Sequence, residues 1–570
     1  MKRRDQRIGI SVVLVLACGA ALTVAQTGRP AVPTPAESAG HRAYTQSEDI
    51  SAFLSVLMAR TPELRVSVAG RSLPTDAYGA RDIYLAVLAE RPAASPEALD
   101  RSKPTVLVTA AQHGNEQSAK EAALRILRDL AVGDLKPLLA KINVLVMPQT
   151  NPYGSFRDVR ANELDLDLNR DHVKLETEGV RAIHRVFRAF MPEVTIDVHE
   201  KGDDYYRVSI GCVSNANIHR DLQDFSRRVV LAEVGKSLGK RKVAFHEYLV
   251  TEDLGADTSS GAAYASDRPE PREQMKRYST TDLNDGRNSL GIFETLSFIQ
   301  EGASRHDLET LAARTEWQYL GLRAFLESVA GHAPEVLKTV GGLRAGLLER
   351  AAAREAADPV HLRMTFARDP GRPELRLKRF ERAASPARGV LKVDKKAGET
   401  VTAADLAPVP GPADLAVVDE VVRHWFPNVE ATLSVRRPRG YIVPAGMTDL
   451  VETLLALGVE VGRFDRGGFA EVEAYEAIEV VPAALDYEAP ERIDVRAEAV
   501  RVPVRMGDFY VDCVQPAANL VPCLLEPQSA YGFIRYRKFD LVPEKGEIFP
   551  IFRVAGAPEP PVTPYKPWRP

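Results

Sequence analysis

Two histidines and a glutamate in this sequence have the chemistry and the surroundings of ligands for a divalent cation. His113 and Glu116 lie three residues apart after the apolar run Thr105–Ala111, and His199 follows the apolar run Val194–Val198. Zinc accepts imidazole nitrogen and carboxylate oxygen, and catalytic zinc sites have three protein ligands and a water molecule. Because sites in open α/β sheets form at the carboxyl ends of strands, we expect the three side chains to meet at one edge of a sheet.

Polar residues suited to a charged substrate accompany this pattern. Arg160 and the pair Asn169-Arg170 lie between the two histidines, and guanidinium groups bind carboxylates and developing oxyanions. Further along the chain, Glu294 lies within the apolar run Gly291–Leu296. A buried carboxylate is costly to desolvate and therefore needs a partner or a function. We predict that Glu294 faces a water molecule held by the metal.

The alternation of apolar runs and helical patterns predicts an α/β domain. Continuous apolar runs are typical of buried strands, and apolar residues at helical spacing predict helices. The predicted strands are 105–111, 142–147, 194–198 and 290–296, and the predicted helices are 118–130, 178–190, 222–238 and 308–329. Strands that alternate with helices in this way form a sheet covered on both faces.

Charge and the N-terminus narrow the class of protein. The chain has 570 residues and a net charge of −4, which argues against nucleic-acid binding. A basic stretch ending at Arg7 precedes the apolar run Ile8–Leu16, and this order is typical of a cleaved signal peptide over residues 1–25. We therefore expect a periplasmic or secreted protein. The alternative is a lipoprotein in which Cys18 carries an N-terminal membrane anchor.

Changes in composition and pattern along the sequence predict five segments. After the signal peptide we expect a flexible linker at 26–44, a catalytic domain at 45–330, a connecting helix at 331–358 and a mainly β accessory domain at 359–570. Within that accessory domain, Cys513 and Cys523 flank a predicted turn and are either paired or two buried thiols.

These motifs, in this order, resemble the zinc metallocarboxypeptidases of carboxypeptidase A type over residues 45–330. The matching motifs are H-x-x-E at His113 and Glu116, N-P-x-G at Asn151–Gly154, D-L-N-R-D at Asp167–Asp171, the lone His199 and the late Glu294. The H-x-x-E pair alone is a weak signal, and the combination is specific. The resemblance implies a mixed, mostly parallel sheet between helices. It also implies zinc-assisted removal of the C-terminal residue of a peptide.

The resemblance also implies a role for each matching residue. His113, Glu116 and His199 would be the ligands of one zinc ion per chain, and Glu294 would be the general base. Arg160 would polarise the scissile carbonyl, and Asn169 with Arg170 would hold the substrate's terminal carboxylate. Asp197 would orient a ligand histidine from behind.

Two parts of the family pattern do not match clearly. The family often has a mobile tyrosine upstream of the base, and the nearest tyrosines here are Tyr278 and Tyr264, of which we favour Tyr278. The segment 280–289 is expected to line the specificity pocket, and it is polar. Its charged residues predict two different substrate preferences. Arg287 would anchor a second carboxylate of the substrate, whereas Asp282 or Asp285 would select a basic residue.

The sequence therefore predicts an exported zinc carboxypeptidase that hydrolyses a peptide bond next to a free C-terminal carboxylate. One alternative keeps the fold and changes the substrate, giving an amidase, a deacylase or a hydrolase of cell-wall stem peptides. A second alternative is a catalytically inactive binding module. The expected partner is a peptide or a peptide-like substrate. Any membrane contact would be made through the N-terminal anchor, and the oligomeric state is not encoded in any pattern we recognise.

Overall fold

Strands with every residue buried form the centre of the first half of the chain. The computed structural model describes residues 32–253, 274–353, 358–381, 416–482, 490 and 492–566. The predicted signal peptide lies outside the described residues. The elements up to residue 331 are α1 (Pro35–Ser38), α2 (Ser47–Met58), β1 (Leu64–Arg71), β2 (Asp82–Leu88), β3 (Thr105–Ala110), α3 (Gln117–Val132), β4 (Asn143–Met147), α4 (Pro152–Arg157), α5 (Glu178–Phe190), β5 (Val194–Gly202), β6 (Val208–Cys212), α6 (Arg220–Phe225), α7 (Ala232–Lys240), β7 (Phe245–Glu247), β8 (Val250–Asp253), β9 (Gln274–Arg277), α8 (Gly286–Gly291), β10 (Leu296–Ser304) and α9 (Leu311–Gly331).

Eight of these strands form one mixed sheet in the order β1-β2-β4-β3-β5-β10-β6-β7. The pairs β4/β3, β3/β5, β5/β10 and β6/β7 are parallel, and the other three pairs are antiparallel. Consecutive side chains of a strand point to opposite faces of the sheet. Since every residue of β3, β4 and β10 is buried, both faces are covered there. The predicted mixed, mostly parallel α/β sheet is confirmed.

The strand predicted at 290–296 is wrong. Residues 286–291 form the short helix α8, and β10 begins only at Leu296. The Asp285 side chain accepts hydrogen bonds from the backbone N–H groups of Arg287 and Asn288 and so caps α8. A short apolar run does not distinguish a buried helix from a buried strand, and here the cap decides.

The predicted flexible linker is also wrong in its second half. Thr34 and Glu37 form a reciprocal capping box at the start of α1, and Ala36 is buried. The Glu37 carboxylate lies 2.5 Å from the guanidinium of Arg128 on α3. These contacts attach residues 34–38 to the sheet-covering helices.

The remainder of the chain is mainly β, as expected. Its elements are α10 (Ala333–Ala353), β11 (Pro359–Ala367), β12 (Leu375–Phe380), β13 (Val417–Val422), β14 (Trp425–Phe426), β15 (Asn428–Arg436), β16 (Gly440–Val443), α11 (Thr448–Ala456), β17 (Gly462–Phe464), β18 (Gly468–Val481), β19 (Arg492–Val504), β20 (Phe509–Asp512), α12 (Leu520–Leu525), β21 (Phe552–Val554) and β22 (Val562–Pro564). Seven of these strands form a sheet in the order β19-β18-β21-β16-β20-β17-β22. Cys513 and Cys523 are two buried thiols rather than a disulfide.

The later region also completes a sheet that the first half begins. Strand β14 pairs in parallel with β9, which gives the three-stranded order β14-β9-β8. Within the described residues, no helix is both long enough and apolar enough to cross a bilayer.

A buried ion pair holds the start of the later region in place. The Arg437 side chain, only 2% exposed, lies 2.5 Å from the Asp358 carboxylate. Its other nitrogens donate to the Ala518 carbonyl and the Asn519 side-chain oxygen, both at the beginning of α12.

We predict that Arg437→Ala lowers the free energy of unfolding by about 1–3 kcal/mol, because it leaves Asp358 with Arg350 alone and removes the donor of two oxygens beside α12. Arg492→Ala is the matched control, since Arg492 pairs with Glu479 at the surface. An exposed pair contributes only about 0–1 kcal/mol. Denaturant titration of both variants measures the difference, and equal losses would contradict the assignment.

Candidate active site and metal centre

His113, Glu116 and His199 converge at the carboxyl ends of β3 and β5. The Glu116 carboxylate lies between the two rings, with one oxygen 2.8 Å from His113 Nδ1 and the other 2.8 Å from His199 Nδ1. One ligand atom from each residue lies within 4.8 Å of the others, and all three residues are buried. The structure therefore brings together the three residues that the sequence analysis selected as ligands.

A pair of glycines allows this convergence. A Cβ atom built on Gly114 would lie 1.9 Å from the backbone carbon of Gly154, at the start of α4. The loop that carries His113 and Glu116 thus packs backbone to backbone against the Asn151–Gly154 turn. A side chain at Gly114 would force the two segments apart.

The outer nitrogens of both histidines face carboxylates. His113 Nε2 lies 3.0 Å from Asp167 Oδ1, and His199 Nε2 lies 2.5 Å from Asp197 Oδ2. Burial alone would raise the pKa of Asp197, but His199 and other donors outweigh it and lower that pKa. An ionised carboxylate only accepts hydrogen bonds, so each Nε2 carries a proton, and Nδ1 is the ring nitrogen left to bind a cation. Two imidazole nitrogens and a carboxylate are a donor set that zinc accepts.

The predicted substrate-binding residues border the same cavity of about 340 Å³. Arg160 donates to Asp167 at 2.8 Å and lies 3.6 Å from Glu116. Asn169 accepts a hydrogen bond from the backbone N–H of Gly286 through its side-chain oxygen, which leaves its amide N–H₂ group as a donor. The carbonyl of Arg170 accepts a hydrogen bond from the Asn284 side chain, which fixes the backbone at this point.

A carboxylate that the sequence analysis missed completes the cavity. Glu301 lies on β10, in parallel register with His199 on β5, and it borders the cavity. Its side chain is buried, and burial raises its pKa to about 7, with Glu116 also raising it and His199 lowering it. A carboxyl group with a pKa near neutrality is suited to accept and return a proton.

Glu294 lies elsewhere, and its prediction as the carboxylate that faces the metal is wrong. It falls between α8 and β10, and its carboxylate accepts hydrogen bonds from the His219 backbone N–H at 3.1 Å and the Asn519 side chain at 3.3 Å. It lines a second cavity, of about 920 Å³, which we call the rear cavity and which shares no lining residue with the metal cavity. The cause is the misplaced strand, since β10 begins two residues after Glu294.

The structure does not bring Tyr278 to the metal cavity either. Its ring packs edge-on against Trp425 at 5.0 Å and lines the rear cavity. Its neighbours Arg277 and Ser279 line the metal cavity instead. Adjacent residues of an extended segment point in opposite directions, which separates Tyr278 from them. Tyr248 borders the metal cavity, and Tyr264 lies outside the described residues.

Comparisons with known proteins find sequence similarity to carboxypeptidases. Residues 50–186 match the family described as zinc carboxypeptidase, peptidase M14. By this match, residues 50–186 form a zinc carboxypeptidase domain. Carboxypeptidase 2 of Trichophyton tonsurans is 25% identical over 460 residues, which cover 78% of this chain and 75% of that protein. Carboxypeptidase 2 of Trichophyton rubrum is 24% identical over 468 residues, with the same coverage. A metallo-carboxypeptidase structure from Burkholderia cenocepacia aligns at 18% identity with a TM-score of 0.36, covering 50% of this chain and 69% of that one.

Residues 277–285 form one side of the metal cavity, and we call them the pocket wall. Thr280, Asp282 and Asp285 border the cavity as expected. Arg287 does not. It is buried behind the wall and donates to the Ser279 hydroxyl at 2.7 Å and to Asp285 at 3.3 Å. Asp285 is therefore engaged both as a helix cap and as a counter-ion.

The region beyond residue 358 supports the pocket wall from outside. Phe426 of β14 pairs with Arg277, and the Arg277 guanidinium lies 4.6 Å from the centre of the Phe366 ring. The Thr281 hydroxyl lies 3.1 Å from the Tyr531 hydroxyl. The region beyond residue 358 thus fixes one side of the cavity.

The burial of Glu294 makes the stability of the protein depend on pH. Burial raises its pKa to about 7 from 4.5, so between these values the folded state keeps a proton that the unfolded state loses. Stability supplied by this group is therefore present below about pH 4.5 and is lost as the pH rises to about 7. We expect Glu294→Gln to gain about 2–3 kcal/mol relative to the wild type between acidic and mildly basic pH. Denaturant titrations across this range test it, with Glu479→Gln as a surface control, and a pH-independent difference would contradict it.

Proposed function

We propose that this protein is a zinc-dependent carboxypeptidase that hydrolyses the peptide bond next to a free C-terminal carboxylate. The observation that carries the proposal is that one cavity holds the His113-Glu116-His199 group, the Glu301 carboxylate and the Asn169-Arg170 pair. Fungal relatives named carboxypeptidase 2 support the reaction class.

His113, Glu116 and His199 would hold one zinc ion. Their donor set fits the metal, because both Nδ1 atoms converge on the Glu116 carboxylate and both Nε2 atoms are held by other carboxylates. Bound zinc supplies a Lewis acid beside the scissile carbonyl. Glu301 then accepts a proton from the attacking water and returns it to the leaving amine, which its position opposite His199 and its raised pKa both favour.

Arginines in the same cavity account for substrate binding. Arg170, with the amide N–H group of Asn169, binds the terminal carboxylate, since a guanidinium donates two parallel hydrogen bonds to it. Arg160 stabilises the oxyanion that develops on the scissile carbonyl. In the structure Arg160 is bound to Asp167, so it exchanges that partner for the substrate.

Export completes the proposal. The basic N-terminus followed by an apolar run supports a signal peptide and a periplasmic or secreted location. The alternative of a lipid anchor at Cys18 stays open. An exported enzyme meets peptides and cell-wall stem peptides rather than cytoplasmic proteins.

The first test compares one peptide with a free C-terminus and the same peptide with an amidated C-terminus. We expect kcat/KM to be about 10- to 100-fold higher for the free acid, because the amide loses charge-assisted hydrogen bonds worth about 1.5–3 kcal/mol. Chelation should abolish the activity and added zinc should restore it. Equal rates on the two peptides would reject the carboxypeptidase assignment in favour of an amidase. Bound zinc without hydrolysis of either peptide would indicate a binding module.

A matched pair of variants tests the identity of the base. Glu301→Gln should lower kcat by about 10²–10⁴-fold while zinc stays bound, because the proton acceptor is lost. Glu294→Gln makes the same chemical change in the rear cavity and should leave kcat unchanged. Steady-state kinetics and metal analysis of both proteins decide between them, and the reverse pattern would restore Glu294 as the base.

A further inference from the structure

A chain of hydrogen bonds leads from His199 away from the metal cavity into the core. It begins at Asp197, whose Oδ2 accepts from His199 Nε2 at 2.5 Å and from Gln112 Nε2 at 2.5 Å. The other oxygen of Asp197 accepts from the Thr109 hydroxyl at 2.7 Å. Asp197 is thus held by three donors, of which Gln112 is the one that continues inward.

Two buried histidines extend the chain. Gln112 Oε1 lies 3.0 Å from His172 Nε2, and His172 Nδ1 lies 3.1 Å from His184 Nε2. Gln112, His172 and His184 are each at most 1% exposed. The proposed reaction uses neither histidine, although a buried imidazole pair in a well-packed core needs a physical reason.

The direction of every hydrogen bond in the chain follows from its first member. Ionised Asp197 only accepts, so the amide nitrogen of Gln112 faces it and the amide oxygen faces His172. His172 Nε2 must then carry a proton. Burial lowers the pKa of His172 to about 4, so the ring is neutral and its Nδ1 is an acceptor. His184 therefore donates through Nε2.

The far end of the chain agrees with this order. His184 Nδ1 is buried and has no hydrogen-bond partner, which fits a bare lone pair better than an N–H group. Burial also holds the pKa of His184 well below its ordinary value, so the ring stays neutral. Both histidines are thus fixed as Nε2–H tautomers.

We propose that Gln112, His172 and His184 are positioning residues that fix the tautomer and the ring orientation of His199 through Asp197. The inference rests on the proposed metal site. His172 prevents the Gln112 amide from turning over, since the turned amide would place its oxygen against the Asp197 carboxylate. Asp197 would then move away from His199, and Nδ1 of His199 would no longer point toward the proposed metal site. Asp167, behind His113, accepts a hydrogen bond from the Asn169 backbone N–H as well as from Arg160 and needs no such chain.

The test measures zinc affinity by competition with a chelator. His172→Leu should weaken zinc binding by about 10–100-fold, the cost typical of losing an outer partner of a ligand. His172→Gln places an N–H donor near the position of Nε2 and should recover most of that affinity. His361→Leu removes an imidazole from the rear cavity and should leave the affinity unchanged. Wild-type affinity in His172→Leu would overturn the proposal.

A second measurement tests the proposal even if His172→Leu fails to fold. Long-range ¹H–¹⁵N spectra of the wild-type protein with labelled histidines report each tautomer directly. Both His172 and His184 should be Nε2–H, and an Nδ1–H form of either would break the chain and overturn the proposal. If the wild type binds no zinc, the metal assignment fails, and the spectra still decide whether the chain has the stated direction.

Discussion

A carboxylate held between two imidazoles is the interaction on which the rest of this structure depends. Glu116 contacts both His113 and His199 in a place from which water is largely excluded. Three polar groups buried this closely are costly unless each has a fixed role and a fixed proton. Asp167 and Asp197 hold the Nε2 atoms of the two rings, so that both Nδ1 atoms face the Glu116 carboxylate. Two neighbouring parallel strands bring these groups together because both end at the same edge of the sheet.

The rest of the molecule surrounds this centre with segments that are distant in sequence. Strand β10 places Glu301 beside His199 through its parallel register with β5. The turn at Gly154 packs backbone to backbone against the loop that contains His113 and Glu116. The region beyond residue 358 contributes no predicted ligand, and yet Phe366 and Tyr531 hold the pocket wall. That region is thus part of the architecture of the cavity.

The sequence was sufficient for the features that depend on local pattern. Apolar runs located the strands that carry the ligands, and residue chemistry selected His113, Glu116 and His199. It was insufficient where strand register decides which side chain faces the site. Glu294 and Glu301 lie seven residues apart in one apolar stretch, and only the start of β10 shows that Glu301 is the one opposite His199. Tyr278 raised the same difficulty, because the direction in which a side chain points from an extended segment depends on packing, which the local sequence does not determine.

Anomalous diffraction at the zinc absorption edge, from crystals of the purified protein, tests the central claim most directly. The account predicts a single strong peak bonded to Nδ1 of His113, Nδ1 of His199 and the Glu116 carboxylate, with Glu301 beside it and no peak in the rear cavity. A folded, zinc-loaded protein whose peak lies away from these three side chains, or beside Glu294, would contradict it.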